Sequence, residues 1–181
     1  MKHYLFSLLL LPVISCCQSL TNTQIQIVQL ELTQLKETHR SQCYNNIIGD
    51  SLLVYKDVII NFDSAIYLSE YTVMSEQLKQ EEANDIFGTD TGKIFYQMPA
   101  TDIKEWKTEY FPDFKVAFAT VKNQRISPMC NPLSLSIPCV RSDGKYALLY
   151  CTSESIGGLL KIYKNNNSAW ALHKQIILFA I

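Results

Sequence analysis

The sequence predicts an α+β fold in which an N-terminal amphipathic helix packs on a C-terminal antiparallel β-meander. Three observations carry that expectation. Apolar residues recur at helical spacing between Thr23 and Arg40. After Val116 the chain is a series of β-prone runs. Short turn signals separate those runs, and short turns force antiparallel neighbours. A chain of 181 residues, 48% hydrophobic and 18% charged, has the material for one domain with a real core and lacks the composition of a disordered or fibrous protein.

The elements follow in order. Ile25, Val28, Leu32 and Leu35 form the helical stripe, Ile27 and Leu30 widen it, and Thr21, Asn22 or Thr23 caps its start. The other positions are Gln, Glu, Thr and Lys, too poor in basic residues for a membrane-surface helix, so the stripe is expected to pack on a sheet. Leu52 to Phe62 alternates and is rich in β-branched residues, which predicts a strand. Beyond Asp63-Ser64, the spacing of Tyr67, Tyr71, Met74 and Leu78 predicts a helix running into Glu81-Glu82 and ending before Gly88, with an extended course over Ala65 to Met74 as the alternative. Lys93 to Gln97 reads as a short strand. Thr101 then caps a short helix with Ile103, Trp106 and Tyr110 on one face, stopped by Pro112.

Val116 to Val121, Ser134 to Arg141, Lys145 to Cys151, Leu159 to Lys164 and Ala169 to Phe179 make up the expected meander. Asp143-Gly144 is a hairpin signal, and Asn165-Asn166-Asn167-Ser168 is the next turn. A meander must hide one face, and the N-terminal helix is its natural cover.

The first residues are of a different kind. Met1-Lys2-His3 is a short basic start, Tyr4 to Ile14 is an apolar run broken only by Ser7, and Ser15 is a small residue at the boundary. This is the pattern of a secretory signal peptide, and the run falls short of the about 20 residues of a spanning helix. Val13-Ile14-Ser15-Cys16 resembles the bacterial lipobox. Resemblance to bacterial lipoproteins implies cleavage before Cys16, a diacylglyceryl group on its sulfur and acylation of the freed amine. Each buried CH₂ contributes about 0.8 kcal/mol, so two or more chains anchor stably. Val and Ile depart from the commoner residues at −3 and −2.

The expected organisation is a signal peptide over 1–15, a lipidated N-terminus and short tether over 16–21, and one α+β domain over 22–181. Pro138, Ser142 to Ala147, Gly157-Gly158, Ile162-Tyr163-Lys164 and Trp170 are also similar to the C-terminal pattern of small uncharacterised bacterial lipoproteins, many from Bacteroidetes. That resemblance covers the last quarter of the chain and implies no activity and no site residue.

Charge and cysteines bound the rest. Sixteen basic residues face 17 acidic ones, for a net charge of −1; loss of residues 1–15 removes Lys2 and no acid, leaving −2. Nothing in this balance recruits nucleic acid. Of six cysteines, Cys16 is assigned to lipid. Cys17, Cys43, Cys130, Cys139 and Cys151 remain, an odd set whose disulfide connectivity stays open. No pair has the C-x-x-C spacing of a redox or zinc motif.

Candidate chemistry is sparse. Gly88-Thr89-Asp90-Thr91-Gly92-Lys93 has three residues between its glycines where a P-loop needs four, and Ile94 stands in place of Ser or Thr. Cys151 and His173 would make a nucleophile pair only if neighbouring strands aligned them. Trp106, Tyr163 and Trp170 are either a binding surface or core, and core is the commoner use.

The expectation is therefore a lipid-anchored cell-envelope protein, a non-enzymatic binding or structural module. No catalytic residue, cofactor or metal is assigned. Its expected partners are the membrane, through lipid on Cys16, and a protein or glycan of unknown identity. The alternatives are an inhibitor or immunity-type lipoprotein that neutralises an envelope hydrolase, and an enzyme. Cys17-Gln18-Ser19-Leu20 lacks the Asp of an inner-membrane retention signal, which points to the outer membrane, facing the periplasm.

Overall fold

The computed structural model describes residues 19–42, 47–48, 51–57, 76–88, 103, 105–120, 132–153 and 157–179. It is a mixed α+β fold whose sheets are mostly antiparallel. Helix α1 spans Asn22–Gln42. Its start is a reciprocal capping box: the Thr21 backbone N–H donates to Gln24 Oε1 at 2.9 Å, and the Gln24 N–H donates to Thr21 Oγ1 at 3.3 Å. Leu20, just before the cap, is buried in the main core, and Ile25 packs against that same cluster, the arrangement of a hydrophobic staple.

Strands β1 (Ile47–Ile48), β2 (Ser51–Tyr55) and β3 (Val116–Ala119) form a three-stranded sheet in that order. β1 and β2 are antiparallel, while β2 and β3 are parallel, with Leu52 opposite Val116 and Tyr55 opposite Ala119. The Val116 run therefore belongs to this small sheet and not to the meander. A parallel pair needs a long crossover, and the chain between Tyr55 and Val116 supplies it.

The larger sheet comprises β4 (Ser134–Leu135), β5 (Cys139–Val140), β6 (Tyr146–Ser153), β7 (Gly157–Asn166) and β8 (Ala169–Phe179). β6, β7 and β8 are sequential antiparallel neighbours, and β4 and β5 both pair with β6. The expected single strand from Ser134 to Arg141 is split because Pro138 has no N–H for the ladder. In the gap the Ser136 hydroxyl accepts from the Tyr150 N–H at 3.0 Å. Gly144 adopts φ 68° in the β5–β6 turn, and Asn167 and Ser168 adopt φ 53° and 75° in the β7–β8 turn. Positive φ at both central residues is what a tight two-residue hairpin requires.

Both faces of β6 are covered, which explains its unbroken apolar run from Tyr146 to Cys151. Ala147 and Leu149 cluster with Ile27 of α1 and Tyr163, and Cys151 joins the core that holds Val28, Leu32, Leu35, Leu52, Trp106 and Leu135. Tyr146, Leu148 and Tyr150 point the other way, toward Ala83, Ile86 and Phe87. Those three lie on helix α2 (Gln80–Phe87). Two acids, Glu81 and Glu82, sit in its first turn, where the helix dipole favours them. Gly88 closes it at φ 77°, with its N–H donating to Asn84 O at 2.9 Å.

The helix expected to run into Glu81-Glu82 is broken before Gln80, since Lys79 is extended at φ −66°, ψ 145°. Just ahead of that break, the Gln77 amide donates to Ile177 O at 2.6 Å and accepts from the Ile177 N–H at 3.1 Å, so one side chain occupies the place of a neighbouring strand on β8. The short helix expected after Thr101 is also different. Glu105 bridges to Asp57, and the Trp106 N–H donates to Lys56 O at 2.7 Å, so the backbone there is extended before a 3-10 turn at Thr108–Tyr110. Its expected face, Ile103, Trp106 and Tyr110, is nonetheless buried. Residues 58–62, the run from Tyr67 to Met74 and the strand at 93–97 lie outside the described residues. Among the described residues no helix is long and apolar enough to cross a membrane.

Candidate functional site

Two polar networks stand out, one on each face of the larger sheet. The first is buried between α1 and the sheet. Glu31 Oε1 lies 2.7 Å from Lys161 Nζ, and the Tyr163 hydroxyl donates to Glu31 Oε2 at 2.7 Å. The Cys151 thiol sits 3.9 Å from Glu31 Oε1. Glu31 and the Tyr163 side chain are fully buried, and Lys161 is 5% exposed. Burial, reinforced by the Glu31 carboxylate, pushes the Cys151 thiol and the Tyr163 phenol well above their ordinary pKa values. Cys151 is thus held as a thiol, the unreactive form. Charges this deep persist only when paired, and every member of the set has its partner within it.

The second network is built by a β-bulge. Tyr163 pairs with Leu172 and Ile162 with Lys174, which leaves His173 as an extra residue in β8. The bulge reverses which face β8 buries. Before it, Trp170 and Leu172 pack toward α1; after it, Ile176 and Leu178 pack toward α2. At the reversal, consecutive residues face the same way. His173 Nε2 is 3.1 Å from Glu82 Oε1, and Lys174 Nζ is 3.1 Å from Glu82 Oε2. One turn along α2, Asp85 pairs with Lys145 and accepts from the Tyr146 hydroxyl at 2.5 Å.

Arg141 completes this side. Its guanidinium donates to the carbonyls of Asp85 and Ile86 and pairs with Asp143 at 2.5 Å. α2 has no basic residue in its own last turn, so Arg141 supplies from the β5–β6 hairpin the cation that a helix C-terminus favours. Arg141, Lys145 and Lys164 each stand 5.3–5.5 Å from the Tyr146 ring centre, and His173 packs against the same ring at 5.9 Å. The Lys174, Lys145 and Arg141 side chains respectively hold Glu82, Asp85 and Asp143 below the ordinary carboxylate range. Desolvation, then Asp85, raises the Tyr146 phenol.

Cys151 and His173 are not brought together. The thiol faces α1 from β6, whereas the imidazole faces α2 from β8. Trp106 and Tyr163 are fully buried, and the Trp106 indole donates to Leu135 O at 3.3 Å, so neither offers a binding surface. Cys16 lies outside the described residues, as does the segment from Thr89 to Lys93. Among the described residues, no three His, Cys, Asp or Glu side chains gather in a way that would hold a metal ion.

The sequence signals for the buried network are readable afterwards. Lys161 interrupts an otherwise apolar run from Leu159 to Tyr163, and a strand covered on both sides needs a buried acid opposite such a lysine. Glu31 lies one turn from both Ile27 and Leu35, on the apolar stripe. No family model matches the chain, and neither a curated protein nor a solved structure matches it.

Proposed function

We propose that the protein is a lipid-anchored module of the bacterial cell envelope, tethered through Cys16 and acting by binding or by structural support rather than by catalysis. The observation that carries this reading is Val13-Ile14-Ser15-Cys16, placed directly after a basic start and an apolar run of signal-peptide length. The side chains support the non-catalytic part. The two candidate partners for nucleophilic chemistry face opposite layers, and the ionisable groups of both networks bind helices to the sheet. In this reading α1 is the cover of one face of the meander, fixed there by Glu31. The partner on the aqueous side is a protein or glycan, and the location is the outer membrane, facing the periplasm.

The test is Cys16→Ser expressed in a bacterial host. The parent chain should incorporate labelled palmitate and partition with membranes, and the variant should do neither. Labelling that persists in Cys16→Ser would overturn the proposal.

A further inference from the structure

Taking the lipid on Cys16 as given, we infer that the tether holds the domain in one orientation, with β5 and the first turn of α1 against the bilayer, and β8 turned away from it. The inference rests on where the folded part begins. Leu20 is 5% exposed within the main core, and the next residue is locked by the Thr21–Gln24 capping box. Four peptide units separate Cys16 from this fixed point, and they span at most about 14 Å however they are arranged. A domain of this size is roughly 40 Å across. The tether is far shorter than the domain, so the side that carries Leu20 has to stay at the headgroups.

Helix α1 identifies that side. The Gln24 amide donates to Pro138 O at 3.0 Å, beside β5, whereas Glu31 meets Lys161 and Tyr163 on β7. Seven helical residues rise about 10 Å, and two strand spacings are also about 10 Å. α1 therefore crosses the strands, starting at the β5 side and heading toward β8. Its first turn contains no acidic residue, and Ser19, Thr21 and Asn22 are exposed there. An uncharged polar end meets anionic headgroups without like-charge repulsion. At the far edge, the exposed residues of β8, including Gln175 and Ile177, face the aqueous space.

The experiment uses the full acylated chain in vesicles of phosphatidylethanolamine and phosphatidylglycerol that carry headgroup-nitroxide lipid. A small fluorescent amino acid is placed either at Asn22 or at Gln175, and intact mass establishes acylation of each preparation. Quenching at position 22 should exceed that at position 175 by about threefold, the two lying more than three strand spacings apart. Inserting a Gly/Ser linker of a dozen residues between Ser19 and Leu20 should erase the difference. Equal quenching in acylated protein would overturn the orientation and leave the lipid anchor standing. Absence of the acyl mass would overturn both. A difference that survives the linker would show that the surface itself adheres, and would overturn the tether as its cause.

Discussion

The two faces of the larger sheet hold their helices by opposite means. On the α1 face one carboxylate, Glu31, is fully buried and shared among Lys161, Tyr163 and Cys151. On the α2 face Glu82 and Asp85 are shared among His173, Lys174, Lys145 and Tyr146 at the surface, where the Lys145 and Asp85 side chains are 41% and 44% exposed. The geometry of the individual pairs is similar, so burial decides what each is worth. Water screens the second set and makes each pair nearly dispensable. The first has no such screen, and removing one partner strands a charge in the core. Pairing in a dry layer fixes the register of α1; pairing at the rim only trims the fit of α2.

The largest effect should come from breaking the dry network at one end. Glu31→Gln keeps an acceptor for Tyr163 but leaves Lys161 charged and unpaired, which should cost about 3–5 kcal/mol in urea unfolding. Adding Lys161→Met to Glu31→Gln should recover most of that loss, because the stranded charge is gone. Leu32→Ala comes next. Its side chain is fully buried beside Glu31, and truncation should cost about 2–5 kcal/mol, whereas Gln26→Ala on the exposed side of α1 should change the midpoint little. If Leu32→Ala and Gln26→Ala unfold alike, α1 is not a cover of the meander.

Changes on the α2 face should be smaller. Asp85→Asn should cost about 1 kcal/mol or less, and less still in half-molar salt. pH sharpens the contrast further. Glu82, Asp85 and Asp143 have folded pKa values below their unfolded ones. The stability they add is therefore complete above the unfolded carboxylate values, about pH 4–5, and drains away as pH falls through the lower folded values. Urea midpoints measured from pH 6 down to pH 3 should show that loss, and Asp85→Asn should flatten part of it. His173→Ala is expected to have the smallest effect, since Lys174 still holds Glu82.

What the sequence reveals follows from how local the cause is. Asp143-Gly144 and Asn165 to Ser168 announce their turns because those residues accept positive φ, and the neighbouring strands then pair as a meander. Non-local pairing leaves no such trace. The Val116 run looks like one more strand of that meander, yet its partner is β2, some 60 residues earlier. The split at Pro138 is readable from the missing N–H, but that the strand resumes on the same neighbour is not. The bulge at His173 is visible only against the register of β7. Until it is placed, His173 and Lys174 belong to opposite faces, and the grip on Glu82 cannot be foreseen. Glu31 illustrates the same limit: its place on the apolar stripe of α1 is visible on a helical wheel, but only Lys161 from a distant strand gives it a reason to be inside.

A pair of double-mutant cycles measures the difference between the faces most directly. One cycle combines Glu31→Gln with Lys161→Met, the other Asp85→Asn with Lys145→Met, each read by urea unfolding at neutral pH. The account predicts a coupling of at least about 3 kcal/mol for the buried pair and below about 1 kcal/mol for the surface pair. Equal couplings, or a stronger one on the α2 face, would contradict it.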